Sequence, residues 1–268
     1  MVAIGSGVPA TATDGRGRRR RWTPGDGSVR TMWAVVLCAS CSSPVGADDC
    51  VVLLHGLARS DASLLLMQEA LEADGYRTFN SAYDSAAGTV AALAERTVPP
   101  ALDACEGADA IHFVTHSMGA ILLRLWVRDH GAPEGRTVMI APPNGGSELV
   151  DALSGLPPFD WINGPAGGQL GTDGVVPALP PVWPGVGVIA GDRSLSPLYS
   201  TILPGPDDGK VTVASTRVDG MADHIVLPVS HTFAPVSPLV IAQTMLFLSE
   251  GRFDPRMGLA EAIGTFVD

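Results

Sequence analysis

Several features that mark common protein classes are missing from this chain of 268 residues. Its apolar run near the N terminus, Met32 to Ala39, is far shorter than the ~20 residues that a membrane-spanning helix needs, so a permanent transmembrane helix is not expected. The chain also has no internal repeat, no low-complexity tract and no group of cysteines and histidines with zinc-ligand spacing. These absences argue against a repeat architecture and against a structural metal site.

The first 47 residues have the layout of an export signal. A basic cluster, Arg18 to Arg21, precedes the apolar run Met32 to Ala39, and small residues follow it up to Ala47. Basic, apolar and small-residue segments occur in this order in secretory signals. We therefore predict a leader over residues 1–47, with cleavage after Ala47. The alternative is a disordered N-terminal extension.

Two other export details stay open. Cys41 lies in a stretch that faintly resembles a lipoprotein box, which would give a lipid anchor, and the paired arginines allow the twin-arginine route. In either case we expect a secreted or periplasmic protein with one globular domain over residues 48–268. Without the leader the chain has eleven Lys and Arg against twenty-six Asp and Glu, a net charge near −15. Such a charge opposes nucleic acid as a partner and favours solubility.

Strand-like and helix-like segments alternate along the rest of the chain. This alternation predicts an α/β protein with a mainly parallel sheet and helices on both of its faces. One predicted helix, residues 87–104, contains Pro99 and Pro100, which should break or kink it. The predicted strands cover residues 51–54, 77–83, 111–115, 137–141, 186–190 and 224–229.

Two of the apolar runs end in short motifs that carry the argument for function. Residues 111–115 lead into Ser117 and Gly119, which resembles the G-x-S-x-G elbow with Thr115 in place of the first glycine. Upstream, residues 51–54 lead into His55-Gly56. In this order the motifs resemble the α/β-hydrolase superfamily, and within it the small secreted lipase and esterase-like members.

The resemblance covers the chain from about Cys50 to the C terminus and implies the α/β-hydrolase fold with a short lid insertion. Residues 142–184, rich in glycine, proline and aromatic residues, occupy the position where this superfamily inserts lids. Their apolar side chains could roof an acyl pocket. A packed surface loop is the alternative, and the sequence does not decide between them.

The resemblance also implies a Ser-Asp-His triad with Ser117 as the nucleophile. Catalytic residues of an open parallel sheet follow the strands, and His231 follows the last predicted strand, which makes it the expected base. Asp208 lies in an acidic-Gly-x-Val stretch common after the penultimate strand of the superfamily, so we predict that it is the acid. Asp192 and Asp207 are the alternatives, and an ordinary Asp-Gly turn remains open for Asp208.

The backbone N–H groups of Leu57 and Met118 are expected to form the oxyanion hole. The resulting prediction is a serine esterase or lipase that forms an acyl-enzyme, needs no metal or organic cofactor, and acts as a monomer on small ester or lipid substrates with transient contact to lipid surfaces. A thioesterase or acyltransferase would use the same residues. A non-catalytic binding protein with this fold is the alternative from a different class.

Four cysteines are present, and two of them, Cys38 and Cys41, belong to the predicted leader. The remaining pair, Cys50 and Cys105, would face an oxidising compartment, where disulfides persist. Each lies just before one of two strands that are parallel neighbours in the α/β-hydrolase fold. We therefore predict a Cys50–Cys105 disulfide, with two unrelated buried thiols as the alternative.

Overall fold

A computed structural model describes residues 48–266. The predicted leader, with Cys41 and the expected cleavage site after Ala47, lies outside the described residues. Within them, no helix combines the length and the apolar character needed to cross a membrane. The same part of the chain contains no group of three or more His, Cys, Asp or Glu side chains arranged to hold a metal ion.

In the part of the chain that the structure describes, six strands form one sheet in the order β2-β1-β3-β4-β5-β6, and every neighbouring pair is parallel. The prediction of a mainly parallel α/β fold is therefore confirmed. Because all strands run the same way, the loops that follow them meet at one edge of the sheet. The strands are β1 (Cys50–Leu54), β2 (Arg77–Ser81), β3 (Ile111–His116), β4 (Thr137–Ile140), β5 (Val186–Gly191) and β6 (Asp223–Leu227).

Strand β1 shows why a central strand of this sheet is apolar at every position. Val51 and Leu53 pack in a core on one face of the sheet, whereas Val52 and Leu54 pack in a second core on the other face. Successive strand side chains point to opposite faces, so a sheet covered on both faces needs apolar residues at every position.

Nine helices accompany the sheet within the described residues: α1 (Leu65–Ala73), α2 (Val90–Ala104), α3 (Met118–His130), α4 (Glu148–Leu153), α5 (Pro157–Gly167), α6 (Pro197–Ser200), α7 (Val213–Thr216), α8 (Pro238–Glu250) and α9 (Leu259–Gly264). Residues from α1 and α8 contribute to the first core, and residues from α2 and α3 contribute to the second.

Helix α2 corrects one expectation, because it continues through Pro99 and Pro100 instead of breaking there. Each proline removes the hydrogen bond to the carbonyl four residues earlier, which belongs to Glu95 or Arg96. Both of these residues are exposed, so water can satisfy the two carbonyl groups. Burial of the opposite side of the helix, including Val98 and Ala101, holds the backbone helical.

The insertion between β4 and β5 is ordered. Ser147 caps α4 by accepting a hydrogen bond from the Val150 N–H. Helix α5 is interrupted at Gly164, whose φ of 61° combined with ψ of −165° is a conformation that glycine adopts readily, and whose missing side chain leaves room for the Ala86 carbonyl. The segment that the sequence marks as a lid therefore consists of short helices that pack on the domain.

Cys50 and Cys105 form a disulfide, as predicted, with their Cα atoms 5.7 Å apart. The bond joins the start of β1 to the end of α2, and both residues are fully buried. It closes a long loop that contains α1, β2 and α2, which restricts the unfolded chain.

Replacing both cysteines in Cys50→Ala/Cys105→Ala should lower the free energy of unfolding by about 2–5 kcal/mol, because the unfolded chain regains the freedom that the bond removes. Urea denaturation of the variant and of wild type, each with and without reductant, measures the difference. Wild type should respond to reductant, and the variant should not. Equal midpoints for oxidised wild type and the variant, or two free thiols in non-reducing peptide mapping, would contradict this prediction.

Candidate active site

Ser117 occupies the turn between β3 and α3. Its backbone has φ 54° and ψ −122°, a conformation that is rare for a residue with a side chain and that tight packing must maintain. The Ser117 N–H donates to the Ile140 carbonyl at 2.9 Å, which anchors the turn to β4. A Cβ atom at Gly119 would lie 2.4 Å from the Leu54 carbonyl oxygen, so glycine is required where α3 passes the end of β1.

His231 lies in the loop between β6 and α8, at the same edge of the sheet. Its Nδ1 is 2.8 Å from Oδ2 of Asp208, and its Nε2 is 3.0 Å from Oγ of Ser117. Only 3% of His231 is exposed. When Nδ1 donates its proton to Asp208, Nε2 is free to accept the Ser117 hydroxyl proton, so the three side chains form one hydrogen-bonded chain.

The Asp208 carboxylate is buried, and each of its oxygens has a defined role. Oδ1 accepts hydrogen bonds from the N–H groups of Lys210 at 2.9 Å and Val211 at 2.8 Å, which leaves Oδ2 for His231. The backbone N–H of His231 donates in turn to the backbone carbonyl of Asp208 at 2.9 Å. Gly209 takes a φ of 96° between them, so the tight turn that orients the carboxylate depends on glycine.

The two alternative acids have other partners. Asp207 Oδ1 accepts from Ser200 Oγ at 3.0 Å and from the Gly209 N–H at 2.7 Å, so it holds the loop together. Asp192 lies 3.6 Å from Nε of Arg193 in a partly exposed ion pair. Of the three candidates it is Asp208 whose side chain meets His231.

His116 contacts His231, and the sequence analysis did not predict this contact. Its Nε2 donates to the His231 carbonyl at 3.1 Å, and its ring lies 4.9 Å from the His231 ring, centroid to centroid. Burial, and the charges of His231 and Arg59, lower its pKa well below the ordinary value, so it stays neutral. The residue before an elbow serine is unspecified in the motif, and no sequence signal marked this contact.

The expected oxyanion donors belong to residues close to Ser117, because Met118 follows it in the chain and Leu57 lines the same cavity. Gly56 comes so close to the serine that an added Cβ atom would lie 3.0 Å from Ser117 Cβ, and this brings the next residue, Leu57, to the site. Met118 begins α3, where backbone N–H groups lack intrahelical acceptors. The assignment of both N–H groups to the oxyanion hole stays a prediction.

A cavity of about 640 Å³ opens beside Ser117 and His231, which form part of its wall. Among the described residues, most of the apolar side chains that line this cavity come from the insertion between β4 and β5. Those side chains are Leu149, Val150, Leu153, Leu156, Phe159, Ile162 and Leu170. The segment therefore faces the cavity next to the Ser117 hydroxyl instead of packing wholly on itself.

His224 differs from His231 in every relevant respect. It lies near the start of β6, at the end of the strands opposite to Ser117, where its Nε2 is 2.9 Å from Oγ1 of Thr216. Burial, with a further contribution from Arg217, lowers the pKa of His224 to about 4. It is thus a neutral structural histidine at physiological pH.

No protein-family model matches the sequence, and no curated protein sequence is significantly similar to it. Solved structures are similar. The mature form of lipase BlEst2 from Bacillus licheniformis superposes with a TM-score of 0.63 at 19% identity, over 77% of this chain and 94% of that one.

Two further structures agree in fold. Aspergillus fumigatus lipase B gives a TM-score of 0.58 at 15% identity over 83% of this chain and 59% of its own. A metagenomic carboxyl esterase gives 0.54 at 20% identity over 83% of this chain and 76% of its own. At these identities the similarity is one of fold. Together with the six parallel strands and the strand-turn-helix at Ser117, it shows that the chain has the fold of the α/β-hydrolase superfamily.

Proposed function

We propose that this chain is a serine hydrolase that cleaves carboxylic esters. The observation that carries the proposal is the position of His231, within hydrogen-bond distance of Asp208 on one side and Ser117 on the other, at the wall of a cavity. Nucleophile, base and orienting acid in this geometry are the requirements for acyl transfer.

In the proposed reaction, Ser117 Oγ attacks the ester carbonyl carbon while His231 Nε2 takes its proton. The negative charge that forms on the carbonyl oxygen is stabilised by the N–H groups of Leu57 and Met118, each worth roughly 3 kcal/mol in such sites. His231 then gives the proton to the leaving alcohol, and an acyl-enzyme remains. Water, deprotonated by His231, releases the carboxylic acid and restores Ser117.

Asp208 holds the proton of His231 on Nδ1 and stabilises the imidazolium that forms in each half-reaction. Its two bonds from backbone N–H groups fix the carboxylate without a mobile partner. The buried position of both side chains strengthens these interactions, because water does not compete for them.

The cavity supports an acyl chain as the part of the substrate held by the insertion. Its wall there consists of leucine, isoleucine, valine and phenylalanine side chains. The lipase and esterase neighbours make small esters or lipids the favoured substrates. The disulfide supports export, because such bonds persist in oxidising compartments, and so the proposal places the protein in the small secreted branch of the superfamily.

Labelling with a fluorophosphonate, followed by mass spectrometry of the modified peptide, tests the proposal. The reagent should modify Ser117, because its hydroxyl alone among the described serines is bonded to a histidine held by a carboxylate. Prior denaturation should abolish the label. Absence of label would favour a non-catalytic binding protein, and label on another serine would contradict the assignment.

Once the label is established, acceptor and leaving-group preference separates the closely related activities. An esterase or lipase should release acid from oxygen esters with water as the acceptor. Faster turnover of matched thioesters would point to a thioesterase, and transfer to an added alcohol in dilute water to an acyltransferase.

A further inference from the structure

The wall of the catalytic cavity has the opposite charge from the chain as a whole. The sequence contains 28 acidic and 17 basic residues. Among the described residues that line the cavity, however, none is Asp or Glu, whereas Arg59 and Lys210 both line it. A pair of cations in the cavity beside the nucleophile requires an explanation in such an acidic protein.

The two cations are held in place by the loops that also carry the site. Arg59 follows β1, two residues after the His55-Gly56-Leu57 turn, and its Nη2 donates to the Thr232 carbonyl at 3.3 Å. Lys210 follows Asp208 in the loop that orients His231. Both residues therefore belong to loops that also position His231, and both line the cavity that contains Ser117.

Neither cation has a counterion in the described part of the chain. Among the side chains that the structure describes, a set that leaves out Asp160, no carboxylate lies within ion-pair distance of Arg59 or Lys210, and the nearby Asp208 is occupied by His231 and two backbone N–H groups. Desolvation lowers the pKa of both side chains, and repulsion from Arg59 lowers that of Lys210 further. An anion bound beside them would offset the repulsion between the two cations.

The cavity thus has two chemically distinct walls. The apolar wall comes from the insertion, with Leu153, Phe159 and Ile162 among its residues, and the cationic wall comes from the loops after β1 and before β6. Acyl chain and alcohol leave an ester carbonyl in different directions. If the apolar wall takes the acyl chain, the cationic wall is left for the alcohol.

We propose that Arg59 and Lys210 select esters whose alcohol portion carries an anionic group, a phosphate or a carboxylate. This inference rests on the proposed ester hydrolysis and specifies its substrate class. Arg59 can bind two oxygens of such a group through its planar guanidinium, and Lys210 supplies a compact charge. The two residues act in binding and selection, and the bond broken is the same ester bond.

A matched pair of substrates tests the selection. We would compare kcat/KM for 1-hexanoyl-glycerol 3-phosphate and 1-hexanoyl-glycerol, which share the acyl chain and the scissile bond and differ in the phosphate. Wild type should prefer the phosphate. In Arg59→Gln/Lys210→Gln this preference should fall by about 10- to 100-fold, the usual size for losing charge-assisted hydrogen bonds. The ratio removes any general effect of the variant on turnover.

Three controls separate charge from structure. Arg59→Lys and Lys210→Arg keep the charge and should keep most of the preference. Arg256→Gln removes an exposed arginine from the segment after α8. This segment packs at the start of β6, where the Phe253 N–H donates to Asp223, and so lies at the end of the strands away from Ser117. The variant should therefore leave both kcat/KM values unchanged. Raising the ionic strength should reduce the wild-type preference, because salt screens the attraction.

A second measurement needs no variant. Glycerol 3-phosphate should slow fluorophosphonate labelling of wild type at concentrations where glycerol does not. Equal turnover of the two esters by wild type, an unchanged ratio in the double variant, or equal protection by both alcohols would overturn the selection while leaving ester hydrolysis intact. Failure of wild type to hydrolyse either ester or nitrophenyl hexanoate would instead defeat the proposed function.

Discussion

Ser117→Ala should lower kcat/KM for a short-chain nitrophenyl ester by about 10⁴- to 10⁶-fold, because the attacking oxygen is gone. His231→Ala should cause a loss of the same order, since no other base lies within hydrogen-bond distance of Ser117 Oγ in the described chain. The two losses should not add in Ser117→Ala/His231→Ala, because either change alone disables the same step. Initial rates with matched far-UV circular dichroism spectra measure the effect.

His224→Ala is the matched control for His231→Ala. It removes a partly buried histidine, whose side chain is bonded to Thr216, from the end of the sheet away from Ser117. We expect reduced stability with turnover within about threefold of wild type, since typical losses from such contacts are near 1 kcal/mol and do not reach the reaction centre. Greater loss of activity from His224→Ala than from His231→Ala would contradict the choice of base.

His116→Ala should lower turnover more than His224→Ala does and less than His231→Ala does. The residue contacts the His231 backbone and does not touch the reacting atoms, so its loss should loosen the loop instead of removing a reactive group.

The order of strands and helices could be predicted from the sequence, because a strand that is buried on both faces of the sheet appears as a short run of apolar residues. Val51 to Leu54 are apolar at every position, and each is fully buried. Helix α2 could not be predicted as well, because the effect of Pro99 and Pro100 depends on whether the carbonyls one turn earlier reach water. That exposure is a property of the folded surface.

The site divides in the same way. Chain order and post-strand position pointed to Ser117 and His231, since both are local properties. The cationic wall was not predicted, because Arg59 and Lys210 are far apart in the sequence and share a cavity only in the folded chain. The choice of acid used both kinds of information: the acidic-Gly-x-Val stretch favoured Asp208, and in the folded chain the adjacent Asp207 bonds to Ser200 whereas Asp208 bonds to His231.

Asp208→Asn should reduce turnover by up to ~10⁴-fold with little change in fold. The side-chain oxygen of the introduced asparagine would keep the bonds from the N–H groups of Lys210 and Val211, so its amide NH₂ would face Nδ1 of His231. An N–H donor at that position forces the imidazole proton onto Nε2. The ring would then point a donor at Ser117 Oγ and could not accept the hydroxyl proton. The effect should fall on kcat, and fluorophosphonate labelling should slow in parallel.

Asp207→Asn and Asp192→Asn are the matched controls, because each makes the same change of charge near the same loop. The asparagine introduced in Asp207→Asn retains an oxygen that can accept from Ser200 and Gly209. Asp192→Asn loses only a partly exposed ion pair with Arg193, and such pairs contribute little to stability. Both variants should therefore keep turnover within about tenfold of wild type. A severe loss in Asp192→Asn together with an active Asp208→Asn would show that the wrong carboxylate had been assigned. The nucleophile and base would survive that result, because Ser117 and His231 are bonded to each other whichever acid orients the ring.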